Sequence, residues 1–219
     1  MCLGGRHACY HHLMDLTAGF VLTGGRSSRM GRDKALLPVA GSSPAGGLSR
    51  AGGLSPAGRL TMVERTAELV RAAANSVTLI GMPERYAHLG LPVVADVVED
   101  CGPIGGVLTA LTVTQANSNL IVACDMPGLT ADFLLRLLAA ARDFASTCLV
   151  PETASGLHPL CAVYRRGARS TVESAIAHKC FKMHDLLKVL GALSWPVADA
   201  SLLRNINTPA EWEQVQEAQ

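Results

Sequence analysis

Short, continuous apolar runs alternate along the chain with segments of helical spacing, and this alternation constrains the fold more than any other feature. Runs that are apolar throughout are typical of sheets covered by helices on both faces, and a strand–helix–strand order favours parallel strands. The sequence therefore predicts an α/β fold with a mainly parallel, doubly wound sheet. Strands are predicted at residues 18–23, 77–81, 91–95, 119–124, 147–150 and 160–164, and helices at 61–75, 103–116, 130–144, 167–178 and 183–190, with a last helix opening at Thr208 and Pro209.

The charge balance excludes several classes of function. Lysine plus arginine number 19 against 18 for aspartate plus glutamate, so the formal net charge is +1, and aromatic residues make up 4% of the chain. These values argue against a strongly basic nucleic-acid binder and against base stacking as a main mode of binding. We therefore expect no nucleic-acid partner. No apolar run approaches the roughly 18 residues that span a bilayer, so we expect no membrane partner either.

Glycine and proline are concentrated in residues 41–59, where SPAG and AGGLS each occur twice. Such a repeat cannot bury a core, so it predicts a flexible insert. We expect residues 15–219 to form a single domain that carries this insert. Residues 1–14 are expected to be a disordered extension, or the start is mis-assigned and translation begins at Met14. The first 15 residues contain no apolar segment typical of a signal peptide. The seven cysteines form no C-x-x-C pair, which favours a reduced, cytoplasmic setting.

A glycine-rich loop with several cations follows the first predicted strand. Residues 22–37 read LTGGRSSRMGRDKALL. Glycines allow close approach of the backbone to a ligand, successive N–H groups form an anion-binding concavity, and Arg29 and Lys34 could neutralise a polyphosphate. The spacing matches neither the Walker A motif nor the dinucleotide-binding G-x-G-x-x-G fingerprint. A surface loop with solvated charges is the alternative interpretation.

Two aspartates stand at the ends of predicted strands, where the carboxyl edge of a parallel sheet binds ligands. Asp125 follows the clearest central strand, and Asp96 follows the 91–95 strand. An aspartate is seldom buried unpaired, and carboxylate oxygens suit Mg²⁺ together with substrate phosphates. Asp125 is therefore a candidate metal ligand. For both residues the alternative is an ordinary turn or capping aspartate.

The first loop resembles the signature of the molybdenum cofactor guanylyltransferases, through LTGG at residues 22–25 and SSRMGRDK at residues 27–34. The resemblance continues in order with DCGPIGG at 100–106, ACDMPGL at 123–129, HP at 158–159 and NINTP at 205–209, and it covers about residues 20–212. It implies a Rossmann-like nucleotidyltransferase fold and the transfer of GMP from GTP to molybdopterin with release of pyrophosphate. The implied cofactor is Mg²⁺. The implied partners are GTP, molybdopterin and proteins that deliver molybdopterin to the enzyme.

The same resemblance implies roles for individual residues. Lys34 would contact the triphosphate, and Arg29 would lie near the departing pyrophosphate. The implied catalytic residues are therefore Lys34, Arg29 and Asp125, of which Asp125 would also bind the metal. The amides of Asn205 and Asn207 would reach the substrate, a phosphate or the metal, with turn formation and capping as their alternative role. The implied nucleotide-binding residues are Leu22, Thr23, Gly24, Gly25, Lys34, Asp96 and Asp125, with Asp100 a competitor for the role of Asp96.

Two departures from the family pattern leave alternatives open. Thr23 stands where the family commonly has alanine, and Gly81 stands where some members have an asparagine that contacts the nucleotide. A cytidylyltransferase acting on the same cofactor is one alternative function, and a non-catalytic nucleotide-binding or scaffold protein of the same fold is another. The Gly24-Gly25 pair and the NINTP motif favour guanine, because cytidylyl members usually have Ala-Ala-Gly in the first loop and acids in the last motif.

Overall fold

A computed structural model describes residues 16–23, 33–39 and 59–217 of the chain. The expectations for residues 1–14 and for nearly all of the 41–59 insert therefore lie outside the described residues. No helix in the described part of the chain is long and apolar enough to cross a membrane.

Within the described residues, the strands form one eight-stranded sheet in the order β3-β2-β1-β4-β7-β5-β6, with β8 pairing to β5. Neighbours among β3, β2, β1 and β4 are parallel, whereas β7 runs antiparallel to both β4 and β5. The predicted α/β fold with a mostly parallel central sheet is thus confirmed. The strands are β1 (Thr17–Leu22), β2 (Thr78–Ile80), β3 (Val93–Val94), β4 (Ser118–Ala123), β5 (Cys148–Thr153), β6 (Gly156–Leu157), β7 (Cys161–Arg165) and β8 (Leu193–Pro196).

Helices follow most of the strands, as the alternation predicted. The α-helices are α1 (Met62–Ala74), α2 (Pro83–Tyr86), α3 (Pro103–Val113), α4 (Ala131–Asp143), α5 (Arg169–Ala177), α6 (Met183–Leu190) and α7 (Pro209–Glu217). Short 3₁₀ helices are Lys34–Leu36, Ala87–Leu89, Arg166–Ala168 and Ala200–Leu203. The predicted bounds of α6 are those observed, and α3 ends three residues before the predicted end, since the Thr114 backbone is already extended.

Helices cover both faces of the sheet, which confirms the doubly wound arrangement. Along β1, Val21 packs on the side of α1 and α4, whereas Phe20 packs on the side of α3, α5 and α6. In β4, Val122 and Ile121 alternate in the same way, and all four side chains are buried. This two-sided burial is the physical reason that the central parts of β1 and β4 are continuous apolar runs.

Capping side chains define where α1 and α4, which pack on the same face of the sheet, begin. The hydroxyl of Thr61 accepts a hydrogen bond from the Glu64 N–H, and the Glu64 carboxylate accepts one from the Thr61 N–H at 2.8 Å, so α1 starts with a capping box. The hydroxyl of Thr130 accepts from the Phe133 N–H at 3.2 Å at the start of α4, at the threonine where the sequence predicts the helix to begin.

Candidate active site

The carboxyl ends of β1, β2, β3 and β4 lie at one edge of the sheet, because these four strands are parallel neighbours. Thr23 follows β1, Gly81 follows β2, Asp96 follows β3 and Asp125 follows β4. Open α/β sheets bind ligands beyond this edge. The candidate residues predicted from separate motifs therefore lie at the edge where a ligand site is expected.

Lys34 connects the first motif to the last one. Its ammonium donates hydrogen bonds to the Ile206 carbonyl oxygen at 2.8 Å and to Asn207 Oδ1 at 3.1 Å. Lys34 opens a 3₁₀ helix whose N-cap is Asp33, with Asp33 Oδ1 accepting from the Ala35 N–H at 3.1 Å. Because the cap fixes where this helix starts, it also fixes where the Lys34 side chain leaves the backbone.

Asp125 lies in the same cluster. Its carbonyl oxygen accepts a hydrogen bond from the Ile206 N–H at 2.9 Å, so the loop after β4 and the NINTP segment are held together. Burial raises the pKa of the Asp125 carboxyl, while the positive charge of Lys34 acts in the opposite direction. One oxygen, Oδ1, is buried and has no hydrogen-bond partner among the residues that the structure describes. A buried carboxylate oxygen without a partner is costly unless a cation or a donor from a ligand reaches it.

The residues at this site fit a magnesium ion shared with a substrate. No group of three or more histidine, cysteine, aspartate or glutamate side chains within the described ranges could hold a metal on its own. Mg²⁺ commonly binds through one or two carboxylates and completes its shell with water and substrate phosphates. The free Oδ1 of Asp125 suits that mode of binding, because it offers a hard oxygen ligand beside the Lys34 cation.

Thr23 and Gly81 form a close-packed pair at the ends of β1 and β2. The Thr23 hydroxyl donates to the Ile80 carbonyl oxygen at 2.9 Å, and the Thr23 N–H donates to the same oxygen at 3.0 Å. A Cβ atom added to Gly81 would lie 2.1 Å from Thr23 Oγ1 and 3.2 Å from Tyr86 Cε2. The threonine and the glycine are therefore matched: with Thr23 present, an asparagine at position 81 would not fit without rearrangement.

The surroundings of Asp96 are consistent with a structural role as well as a binding role. Its Oδ1 lies 3.3 Å from the Thr109 hydroxyl, whose single proton is shared with the nearer Gly105 carbonyl oxygen at 2.9 Å, and that hydroxyl accepts from the Val97 N–H at 3.0 Å. Partial burial raises the pKa of Asp96, and the bond from Thr109 opposes the shift. Thr109 belongs to α3, so this contact holds Asp96 near the ligand-binding edge of the sheet. The contact of Asp96 with a nucleotide stays a prediction.

The two asparagines differ in their contacts. Asn207 binds Lys34 through Oδ1, and its N–H donates to Glu211 Oε2 at 2.6 Å at the start of α7. Asn205 is exposed on the segment that precedes Ile206. The loop residues Gly24, Gly25 and Arg29 lie outside the described residues, and Leu22 is a buried residue of β1 whose carbonyl oxygen accepts from the Cys124 N–H at 3.3 Å.

Two residues of this cluster were not found by sequence reasoning. Asp33 precedes Lys34 directly, and its N-cap role could have been inferred from an aspartate before a short helical segment. Tyr86 ends α2 and is 2% exposed, and its hydroxyl donates to Asp33 Oδ2 at 2.8 Å. No local pattern distinguishes Tyr86 from an ordinary core tyrosine.

Comparisons with known proteins agree with this geometry. Residues 19–193 match the family described as the MobA-like NTP transferase domain. The chain is 30% identical over 202 residues to a probable molybdenum cofactor guanylyltransferase of Carboxydothermus hydrogenoformans, covering 89% of this chain and 92% of the relative. It is 37% identical over 161 residues to the molybdenum cofactor guanylyltransferase of Mesorhizobium japonicum, covering 71% of this chain and 70% of the relative.

A solved structure shows the same fold. The molybdopterin-guanine dinucleotide biosynthesis protein A of Archaeoglobus fulgidus superposes with a TM-score of 0.73 at 22% identity, covering 92% of this chain and 97% of that one. Since the family match spans most of the sequence and two relatives at 30% identity or more are aligned over at least 71% of it, the chain belongs to the family of MobA-like NTP transferase domains.

Proposed function

We propose that this protein transfers GMP from GTP to molybdopterin, forming the guanine dinucleotide cofactor and releasing pyrophosphate. The observation that carries the proposal is the convergence of Lys34, Asp125 and Asn207 at the carboxyl edge of the sheet. A cation and a buried carboxylate with a free oxygen can neutralise and align the two anionic substrates of a nucleotidyl transfer, and the amide of Asn207 holds the cation in place. The names of the relatives support guanine as the base.

The reaction needs alignment and charge neutralisation rather than a covalent enzyme intermediate. An oxygen of the terminal phosphate of molybdopterin attacks the α-phosphorus of GTP, the new P–O bond forms, and the bond from the α-phosphorus to the bridging oxygen of the β-phosphate breaks. Pyrophosphate leaves with that electron pair. Lys34 is proposed to bind the triphosphate and to stabilise negative charge that develops during the transfer, with Arg29 close to the departing pyrophosphate.

Asp125 is proposed to hold Mg²⁺ through its free Oδ1. The ion would neutralise phosphate charge and orient the reacting groups. The side chains of Asn205 and Asn207 are proposed to bind the molybdopterin substrate. The backbone at Leu22, Thr23, Gly24 and Gly25 is proposed to cradle the nucleotide, with Asp96 as a further nucleotide contact.

The organisation around this site follows from the same proposal. Residues 15–219 are proposed to act as one nucleotidyltransferase domain. The described cysteines Cys101, Cys124, Cys148, Cys161 and Cys180 are free thiols. Free thiols fit the proposed cytoplasmic location, where proteins that deliver molybdopterin would meet the enzyme.

The proposal is tested by incubating the full chain with GTP, molybdopterin and Mg²⁺ and identifying the product by mass. The expected product is the guanine dinucleotide, and Asp125→Ala should abolish its formation while circular dichroism shows an intact fold. Asp132→Ala is the matched control, because Asp132 is an exposed aspartate of α4 paired with Arg136 at 3.0 Å. Product formation by Asp125→Ala at the rate of the control would exclude the proposed metal site.

A further inference from the structure

The Tyr86 hydroxyl contacts two residues that flank the glycine-rich segment. It donates a hydrogen bond to Asp33 Oδ2 at 2.8 Å and lies 3.2 Å from the Thr23 carbonyl oxygen. Thr23 precedes residues 24–32, and Asp33 follows them. A single phenolic proton is shared between the two acceptors, and the shorter bond goes to the carboxylate, as expected for the stronger, charge-assisted interaction.

The contact with Tyr86 completes the set of partners around Asp33. Oδ1 of Asp33 accepts from the Ala35 N–H, while Oδ2 accepts from Tyr86 and lies 3.7 Å from Arg85 Nη1. With both oxygens engaged, the Asp33 side chain is held in one orientation. The N-cap at Asp33 in turn places Lys34, the next residue in the chain.

The tyrosine side chain is itself fixed. Tyr86 is 2% exposed, and the absence of a side chain at Gly81 leaves space for its ring, since an added Cβ would lie 3.2 Å from Tyr86 Cε2. Burial and the neighbouring Asp33 carboxylate raise the pKa of Tyr86 above its usual range, so the hydroxyl keeps its proton at neutral pH. The phenol therefore keeps the proton that it donates to Asp33.

We propose that Tyr86 is a positioning residue for nucleotidyl transfer, which acts through Asp33 to hold the Lys34 ammonium beside Asp125 and Asn207. This inference rests on the proposed function for its catalytic consequence. It goes further because Tyr86 touches neither the ammonium nor, in this account, the substrate. A buried aromatic residue of α2 thereby becomes part of the machinery that orients the phosphate-binding cation.

Tyr86→Phe tests the proposal, because it removes the hydroxyl and keeps the ring. The matched control is Tyr164→Phe, in which the buried hydroxyl that donates to the Pro159 carbonyl oxygen at 2.9 Å is removed on the other side of the sheet. We expect Tyr86→Phe to lower kcat/KM for GTP by about 10- to 100-fold, as a small displacement of a catalytic group does. Tyr164→Phe should stay within about two-fold of the wild type, since the hydroxyl of Tyr164 bonds to Pro159 rather than to Asp33 or Lys34.

Two further measurements separate positioning from a merely structural role. In a Lys34→Ala background, Tyr86→Phe should change kcat/KM by no more than about two-fold, because the residue through which it acts is gone. Independently of turnover, the rate of acetylation of Lys34, followed by peptide mass mapping and normalised to the exposed Lys188, should rise at least about three-fold in Tyr86→Phe. The normalised rate of acetylation of Lys34 should not change in Tyr164→Phe.

The outcomes distinguish this inference from the proposed function. Equal losses of kcat/KM with and without Lys34, or unchanged acetylation of Lys34, would overturn the positioning role of Tyr86. A wild-type protein that forms no dinucleotide would overturn the proposed function instead, and the acetylation measurement would still decide whether Tyr86 positions Lys34.

Discussion

Gly81→Ala adds a single methyl group where β2 meets the candidate site. The added Cβ would lie 2.1 Å from Thr23 Oγ1, well inside van der Waals contact, and 3.2 Å from the ring of Tyr86. Thr23 is 6% exposed, so its side chain has little space into which it can turn. Relief of the clash requires the hydroxyl to leave the Ile80 carbonyl oxygen, to which it now donates at 2.9 Å.

The expected loss of stability follows from these contacts. Overpacking a close-packed site costs about 1–3 kcal/mol, and losing one hydrogen bond costs about 0.5–1.5 kcal/mol. We expect Gly81→Ala to lower the free energy of unfolding by about 2–4 kcal/mol, and the Tm by about 5–15 °C for a chain of this size. In Thr23→Ala the clashing hydroxyl is absent, so adding Gly81→Ala to that variant should cost less than about 1 kcal/mol.

Thermal and urea unfolding of the four proteins in this double-mutant cycle measure the coupling between Thr23 and Gly81. Gly167→Ala is the control, because a Cβ added there would meet no described atom within 4 Å beyond the neighbouring residues of its own chain segment, and its stability should change by less than about 1 kcal/mol. Additive losses from Thr23→Ala and Gly81→Ala would refute the steric matching of the two residues.

The remaining predictions concern the site and the first helix. Burial raises the pKa of Asp125, so the contribution of this carboxyl to stability is complete below its unfolded pKa and is lost as pH rises through its folded pKa. In metal-free protein, Asp125→Asn should therefore gain stability relative to the wild type as pH rises from the unfolded pKa of about 4 through the raised folded pKa, which thermal unfolding at a series of pH values checks. Addition of Mg²⁺ with GTP should raise the Tm of the wild type by more than that of Asp125→Asn, because only the wild type keeps the proposed metal ligand. Thr61→Ala removes the capping box with Glu64 and should lower stability by about 1 kcal/mol, or a Tm fall of about 2–4 °C, with an unchanged urea m-value. Lys34→Ala should lower kcat for GTP at least about 100-fold, whereas Lys188→Ala, at an exposed lysine, should leave steady-state kinetics unaltered; equal rates for the two variants would contradict the role of Lys34.

Local patterns were sufficient to predict most of the fold. The helical spacing and the threonine cap of α4 are local features, and the buried strands β1 and β4 are mostly apolar because helices cover both faces. The reversed direction of β7 could not be predicted, since an apolar run looks the same in a parallel and an antiparallel strand. β8 was missed because most of its side chains are exposed and its strand structure depends on pairing with β5.

The candidate site was only partly accessible from the sequence. Lys34 and Asp125 stand in motifs whose chemistry is visible locally. The bond between Lys34 and Asn207 joins residues 173 positions apart, so no local pattern shows it, and only the family resemblance brought both residues into the site. The role of Tyr86 depends on a contact across 53 residues with Asp33, and nothing in the residues around Tyr86 predicts that contact.

The most direct test of this account is the rate of pyrophosphate release from GTP and from CTP, measured side by side with Mg²⁺ and molybdopterin. We predict that kcat/KM for GTP exceeds that for CTP by at least about 100-fold, since a site that hydrogen-bonds one base rejects another strongly. Faster release from CTP would identify a cytidylyltransferase. No release from either nucleotide, together with tight GTP binding, would contradict the enzymatic account and favour a scaffold protein.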